Sequence, residues 1–266
     1  MVDNRTGFKL GAVVLVTAGA SGIGRCIAET FLQQGGRVHI CDISAVSIAA
    51  FLTANPSATA SVADVSIPSE VERLFADLAE IYGCLDVLVN NAGIAGPTAK
   101  VEDIAIEAWN NTVNIDLNGP FYVTRLAVPI MKETDGGTII NIASTAGLLG
   151  CPLRSPYVAA KWALVGLTKT WAMELGPHNI RVNAICPGSV NGERIDNVIS
   201  KDAAERGVDV DTIRDVYQRQ TSLRQFVDAQ DIADMALYLS SAAGAMISGQ
   251  SMAIDGHTES LSNWLD

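Results

Sequence analysis

The sequence predicts an α/β fold in which helices cover both faces of a parallel sheet. Two observations carry this: short apolar runs rich in β-branched residues alternate with longer segments of helical period, and a glycine-rich turn joins the first run to the first helical segment. Taken in order, AVVLVT reads as a strand, GRCIAETFLQQ as a helix, RVHICD as a strand followed by a helix, ATASVAD as a strand, PSEVERLFADLAEIY as a helix and LDVLVNNAG as a strand. The second half repeats the theme. A long helical stretch from about 101 to 131 precedes the strand GGTIINIAS, a helix runs from about 155 to 175, and IRVNAICPG follows as a strand. After Gly188 the pattern weakens, and residues 190 to 225 read as a helical excursion from the core before DIADMALYLSS and the final strand QSMAID.

A length of 266 residues suits one domain spanning residues 1–266. The formal net charge of -11 disfavours nucleic acid as a partner, because such binding draws on clustered Lys and Arg. A phosphate site on so acidic a chain must rely on backbone N–H groups and a helix end. Cys26, Cys41, Cys84, Cys151 and Cys186 include no CxxC pair, so they read as reduced, mostly buried residues, and no metal is expected. The opening apolar run is too short to span a bilayer and leads into the glycine-rich turn instead of a cleavage site, which implies a cytoplasmic protein with no membrane partner.

The turn is Thr17-Ala18-Gly19-Ala20-Ser21-Gly22-Ile23-Gly24. Glycines after a strand and before a helix permit a tight turn, let backbone N–H groups approach a pyrophosphate and allow close helix–strand packing. Thr17, Gly19, Ser21, Gly22 and Ile23 are therefore candidate cofactor contacts. Asp42 ends the second strand 18 residues after Gly24, near the ~20-residue spacing of an acid that binds a ribose 2′-OH. With Ile43 beside it, Asp42 favours NAD over NADP, since a carboxylate repels a 2′-phosphate. Two alternatives stand: Asp42 as a cap of the next helix, and Arg25 turned toward a phosphate.

Asn91, Ala92 and Gly93 close the LDVLV strand, at the end of a parallel sheet where ligands sit. Ser144 ends TIINIAS, and Tyr157 and Lys161, four residues apart in a helical segment, share one helix face. A neighbouring ammonium favours a phenolate, so Lys161 would let Tyr157 serve as acid/base while Ser144 holds the substrate oxygen. Taken singly, each has an ordinary explanation: Ser144 as a cap, Tyr157 as a core residue, Lys161 as a solvated charge.

TAGASGIG, Asp64, NNAG, Asn114 within VNIDLNG, Ser144, YVAAK and PGSV together resemble the short-chain dehydrogenase/reductase family, over essentially the whole chain. The resemblance implies a doubly wound, seven-stranded parallel sheet (Rossmann fold) with helices on both faces, and a homotetramer built partly on two long helices. It implies a catalytic tetrad of Asn114, Ser144, Tyr157 and Lys161, with Asn114 holding a water that links Lys161 to solvent. Asp64 and Val65 would meet the adenine, and the Pro187-Gly188 turn leads to Val190, which would meet the nicotinamide; Tyr157 and Lys161 count among the cofactor contacts as well. Two positions depart from the family pattern. Ala18 stands where the first glycine is usual, adding a methyl at the tight turn, and Asn191 stands where Thr is frequent.

Substrate contacts are expected from loops at 94–98, 145–156 and 191–225. Ala146, Arg154, Asn191, Glu193, Arg194 and His257 are the candidates. The planar fork of Arg154 suits a carboxylate or sulfonate, or equally an ion pair; Glu193 and Arg194 suit a polar substrate or a surface salt bridge. His257 follows the last strand and is within reach of its own or a neighbouring subunit's pocket. These residues point to hydride transfer between NAD and a small polar secondary alcohol or ketone such as a polyol, sugar derivative or hydroxy acid. The alternatives are a 3-oxoacyl or other ketone reductase and a catalytically silent nucleotide-binding protein.

Overall fold

The computed structural model describes residues 7–134 and 136–261; the first six residues of the opening segment lie outside them. Seven parallel strands form one sheet in the order β3-β2-β1-β4-β5-β6-β7. They are β1 (Val13–Thr17), β2 (Arg37–Asp42), β3 (Thr59–Val62), β4 (Val87–Asn90), β5 (Gly137–Ile142), β6 (Ile180–Pro187) and β7 (Ser251–Ile254). Every residue of β1 is buried, as expected of a central strand with both faces covered. Successive side chains alternate between the two layers. Val14 and Val16 face α1 (Gly22–Gln33), α2 (Ala45–Ala54) and α9 (Ala229–Ser240) through Ile27, Phe31, Phe51 and Ile232. Val13 and Leu15 face α3 (Pro68–Ile81), α5 (Gly119–Glu133) and α6 (Ser155–Leu175) through Leu74, Leu78, Val123 and Trp171.

The strand order reverses between β1 and β4, opening a crevice at the carboxyl ends of the central strands. Three features differ from the sequence reading. The stretch expected as one helix from 101 to 131 divides into a short turn (Val101–Asp103), α4 (Ile106–Val113), a five-residue π turn (Asn114–Asn118) and α5. Asp64 and Ser144 lie two residues beyond β3 and β5 instead of ending them, since pairing with the neighbouring strands stops at Val62 and Ile142. Among the cysteines, all five of them free, Cys41 and Cys186 are buried and the others half-buried.

The excursion is helical as expected, with α7 (Glu193–Arg206) and α8 (Val210–Arg219). It has its own small core of Ile195, Val198, Ile199, Ile213 and Phe226, packed against Ala95 from the loop after β4. That contact places the start of α7 over the crevice.

Candidate active site

The two strands flanking the switch point are laced together at their ends. The buried Thr17 hydroxyl accepts from the backbone N–H groups of Asn91 and Ala92, both at 2.9 Å. The Asn91 amide donates to the carbonyls of Thr17 and Ala18 at 3.0 and 3.2 Å. Gly24 is fixed by this lacing, because a Cβ there would lie 2.2 Å from the Ala18 carbonyl and 2.4 Å from Asn91 Nδ2. Gly22 has φ +52° and open space around its missing side chain, whereas Gly19 lies against Ile40. Ser21 caps α1 with its backbone, and its side chain makes no capping bond onto the first turn. Ile23 packs partly into the core. The first-turn N–H groups are thus left facing the crevice, where a helix end attracts an anion.

Asp42, 9% exposed, accepts from Ala20 N at 3.3 Å and Ser44 N at 3.1 Å. The cap of α2 is Ser44, bonded to Ser47 N, so Asp42 is not the capping residue. Ile43 beside it is exposed. Arg25 pairs with Glu29 on its own helix at 2.8 Å and lies over the Phe51 ring. Asp64 accepts from the backbone and hydroxyl of Ser66, and Val65 packs where a side chain on Gly119 would fall. On the other side of the crevice, Pro187 ends β6, Gly188 N donates to Ile254 O, and Val190 bridges to Val227.

Helix α6, with Pro156 near its start, presents Tyr157 half-buried in its first turn and Lys161 buried one turn later on the same face. Lys161 Nζ donates to Ile142 O at 3.0 Å and lies 5.7 Å from the Tyr157 ring centroid. Ser144 opens the turn Thr145–Gly147, which rests against α6 so closely that a Cβ on Gly147 would meet the Lys161 carbonyl at 2.8 Å. Its hydroxyl oxygen accepts from Ala146 N at 3.1 Å, leaving its proton to donate. Burial pushes the neighbouring Cys186 thiol up to about 11 against the pull of Lys161, so it stays a neutral thiol at the site.

The group beside Lys161 is Asp116, which the sequence reading missed. Its carboxylate is fully buried, accepts from Ile94 N at 2.7 Å and stands 3.7 Å from Lys161 Nζ, with Oδ2 lacking a hydrogen-bond partner. A side chain on Gly93 would contact both charged groups. Asn114, expected there, is exposed and accepts from Asn118. The signal was available in the same VNIDLNG segment, as an acid among apolar neighbours.

Three candidate substrate residues have polar groups already engaged within the chain. The Asn191 amide donates to Asp228 at 2.7 Å, drawn off by the start of α9. Ala146 is buried and its N–H is taken by Ser144. His257, with φ +64°, is exposed and bonds Ser222 at 2.6 Å, in a hollow shared with Leu223, Asp231 and Tyr238. Glu193 is exposed at the start of α7. Arg154 and Arg194, by contrast, both approach Tyr157, with guanidinium carbons 5.1 and 5.9 Å from its ring centroid.

A doubly wound parallel sheet with a serine, a tyrosine and a lysine gathered at its switch-point crevice defines an oxidoreductase of hydroxyl and keto groups. The chain belongs to the short-chain dehydrogenase/reductase family: the family model described as Enoyl-(Acyl carrier protein) reductase matches residues 17–257. The D-beta-hydroxybutyrate dehydrogenase of Rhizobium meliloti (strain 1021) is 34% identical over 249 residues, covering 91% of this chain and 96% of that protein. An NAD+-bound xylitol dehydrogenase superposes with a TM-score of 0.90 at 26% identity, over 93% of this chain and 99% of its own. An actinorhodin polyketide ketoreductase variant with NADPH gives 0.90 at 33% identity, over 96% and 98%. No helix among the described residues is long and apolar enough to cross a membrane.

Proposed function

We propose that this chain is an NAD(H)-dependent dehydrogenase that interconverts a small polar secondary alcohol and its ketone, a polyol, sugar derivative or hydroxy acid, with Tyr157 as acid/base. It acts as one catalytic domain, in the cytoplasm, as a homotetramer. The observation that carries the reading is Lys161, buried beside the Tyr157 ring and held between Ile142 O and Asp116 at the rim of the crevice.

A nicotinamide, when bound in the crevice, would supply the hydride chemistry at the carbinol carbon. The chain's own residues handle the oxygen and its proton. In oxidation, deprotonated Tyr157 takes the hydroxyl proton of the substrate, Ser144 donates a hydrogen bond to the substrate oxygen, and the Lys161 ammonium stabilises negative charge on the tyrosine oxygen. Asp116, rather than the Asn114 expected to link Lys161 to solvent through a water, stands beside Lys161 and holds it in place. In reduction the same proton returns from Tyr157, so a ketone reductase uses identical groups, and the coupled substrate decides direction.

The crevice suits the cofactor. Gly22 leaves open space before uncapped first-turn amides, and Asp42 can accept from ribose hydroxyls. Arg25, held by Glu29, is drawn away from offsetting Asp42's repulsion of a 2′-phosphate. Similar structures carry NAD+ and NADPH, so the preference for NAD rests on Asp42. The hydroxybutyrate and xylitol relatives favour a small polar substrate.

The test follows reduced-nicotinamide absorbance with polyols, sugar derivatives and hydroxy acids in wild type and Tyr157→Phe. Turnover with NAD should exceed that with NADP by about 100-fold in kcat/KM, and Tyr157→Phe should lower kcat by about 1000-fold. Comparable turnover by Tyr157→Phe would sink the mechanism.

A further inference from the structure

We propose that the substrate carries a carboxylate, and that Arg154 with Arg194 binds it beside Tyr157. The inference rests on the dehydrogenase reading above and narrows it to hydroxy acids and their keto acids.

Arg154 immediately precedes α6 and is 7% exposed. Its guanidinium lies against the Tyr157 ring and donates once, to Ala95 O at 2.6 Å, while its buried Nε has no partner. Arg194, in the first turn of α7, crosses from the other side of the crevice to the Gly93 carbonyl at 3.1 Å. None of the described carboxylates forms an ion pair with either arginine. This is unusual for the neighbourhood, because on α7 and α8 Arg206 pairs with Asp202, Arg214 with Asp196 and Arg219 with Asp215. The chain as a whole has 29 acidic against 18 basic residues, so acids to neutralise the two are abundant in composition and withheld at this place.

A buried guanidinium without an anion is costly, since desolvation is offset only when a carboxylate and its hydrogen bonds complete the shell. The planar fork of Arg154, with Nε unused, matches the two oxygens of a carboxylate. Both arginines lie against the Tyr157 ring, so an anion held by them places the hydroxyl-bearing carbon of a short hydroxy acid next to the acid/base. Lys161 is excluded as the anion's partner because Asp116 and Ile142 O already hold it.

The experiment measures kcat/KM for short hydroxy acids and their methyl esters with NAD, in wild type, Arg154→Met, Arg154→Lys and Arg194→Met. Wild type should prefer an acid over its ester. Arg154→Met should lower that acid-to-ester ratio by about 100-fold, and Arg154→Lys should restore part of it. The exposed Arg194→Met, by about 10-fold, keeps the test open if the buried substitution fails to fold. A wild-type preference for the ester, or an unchanged ratio in the variants, overturns the clamp. Absence of turnover with every alcohol and ketone sinks the dehydrogenase reading instead. Calorimetry of a hydroxy acid on the protein–NAD complex then decides the clamp separately: about 100-fold weaker binding in Arg154→Met supports it, and equal or undetectable binding in wild type and variant overturns it.

Discussion

A buried ammonium and a buried carboxylate 3.7 Å apart, at 3% and 0% residue exposure, depend on one another more than either depends on solvent. Removing one leaves the other uncompensated, at a cost of about 3–5 kcal/mol. Asp116→Ala should therefore lower stability by that order in urea unfolding and, with Lys161 released, lower kcat/KM by about 100-fold. Asn114→Ala should leave both within about 3-fold and 0.5 kcal/mol, as for a surface change, since Asn114 is exposed and bonded to its helical neighbour Asn118. A large loss in Asn114→Ala with none in Asp116→Ala would reverse this assignment. The residue is hard to find in sequence for a geometric reason. Positions 114 and 116 fall roughly 200° apart on an ordinary helix, and the π turn that selects the inward face leaves no periodic mark. Tyr157 and Lys161 were legible because their helix is regular and their spacing is a single turn.

Among the elements, the turn between β1 and α1 was read correctly in kind, and its departure from the family pattern has a measurable price. Ala18 has φ +49°, a left-handed conformation that disfavours any residue with a Cβ by about 1–2 kcal/mol. Glycine there would relieve that strain while adding about 0.4–1 kcal/mol of unfolded-chain entropy. Ala18→Gly should thus stabilise the protein by about 0.5–1 kcal/mol in urea midpoints with unchanged slope, and a destabilised variant would mean that the methyl group packs usefully. The strands and α6 were legible because runs of β-branched residues and a proline-started helix are local signals. Asn191 was not, because what removes it from the crevice is Asp228, 37 positions away, at the start of another helix.

For the whole molecule, the exposed apolar side chains of three helices bear on assembly. The net charge of -11 would keep a monomer soluble, yet Ile106, Trp109, Phe121, Trp162 and Met173 stand exposed along α4, α5 and α6. Large apolar side chains grouped on neighbouring helices mark a face that another protein surface covers. We propose that this face joins copies of the chain in the homotetramer. Light scattering should give about four times the chain mass for wild type and a smaller species for Phe121→Glu, which sets a charge beside Tyr122 in the ring pair 5.7 Å apart. A wild type that scatters as a monomer would end the assembly reading. Because Ser144, Tyr157, Lys161, Asp116, Arg154 and Arg194 are brought together by one chain, the smaller species should still bind NAD within about 3-fold of wild type. Its loss should appear in thermal stability, since assembly stabilises the folded chain by mass action while the crevice lies within each sheet.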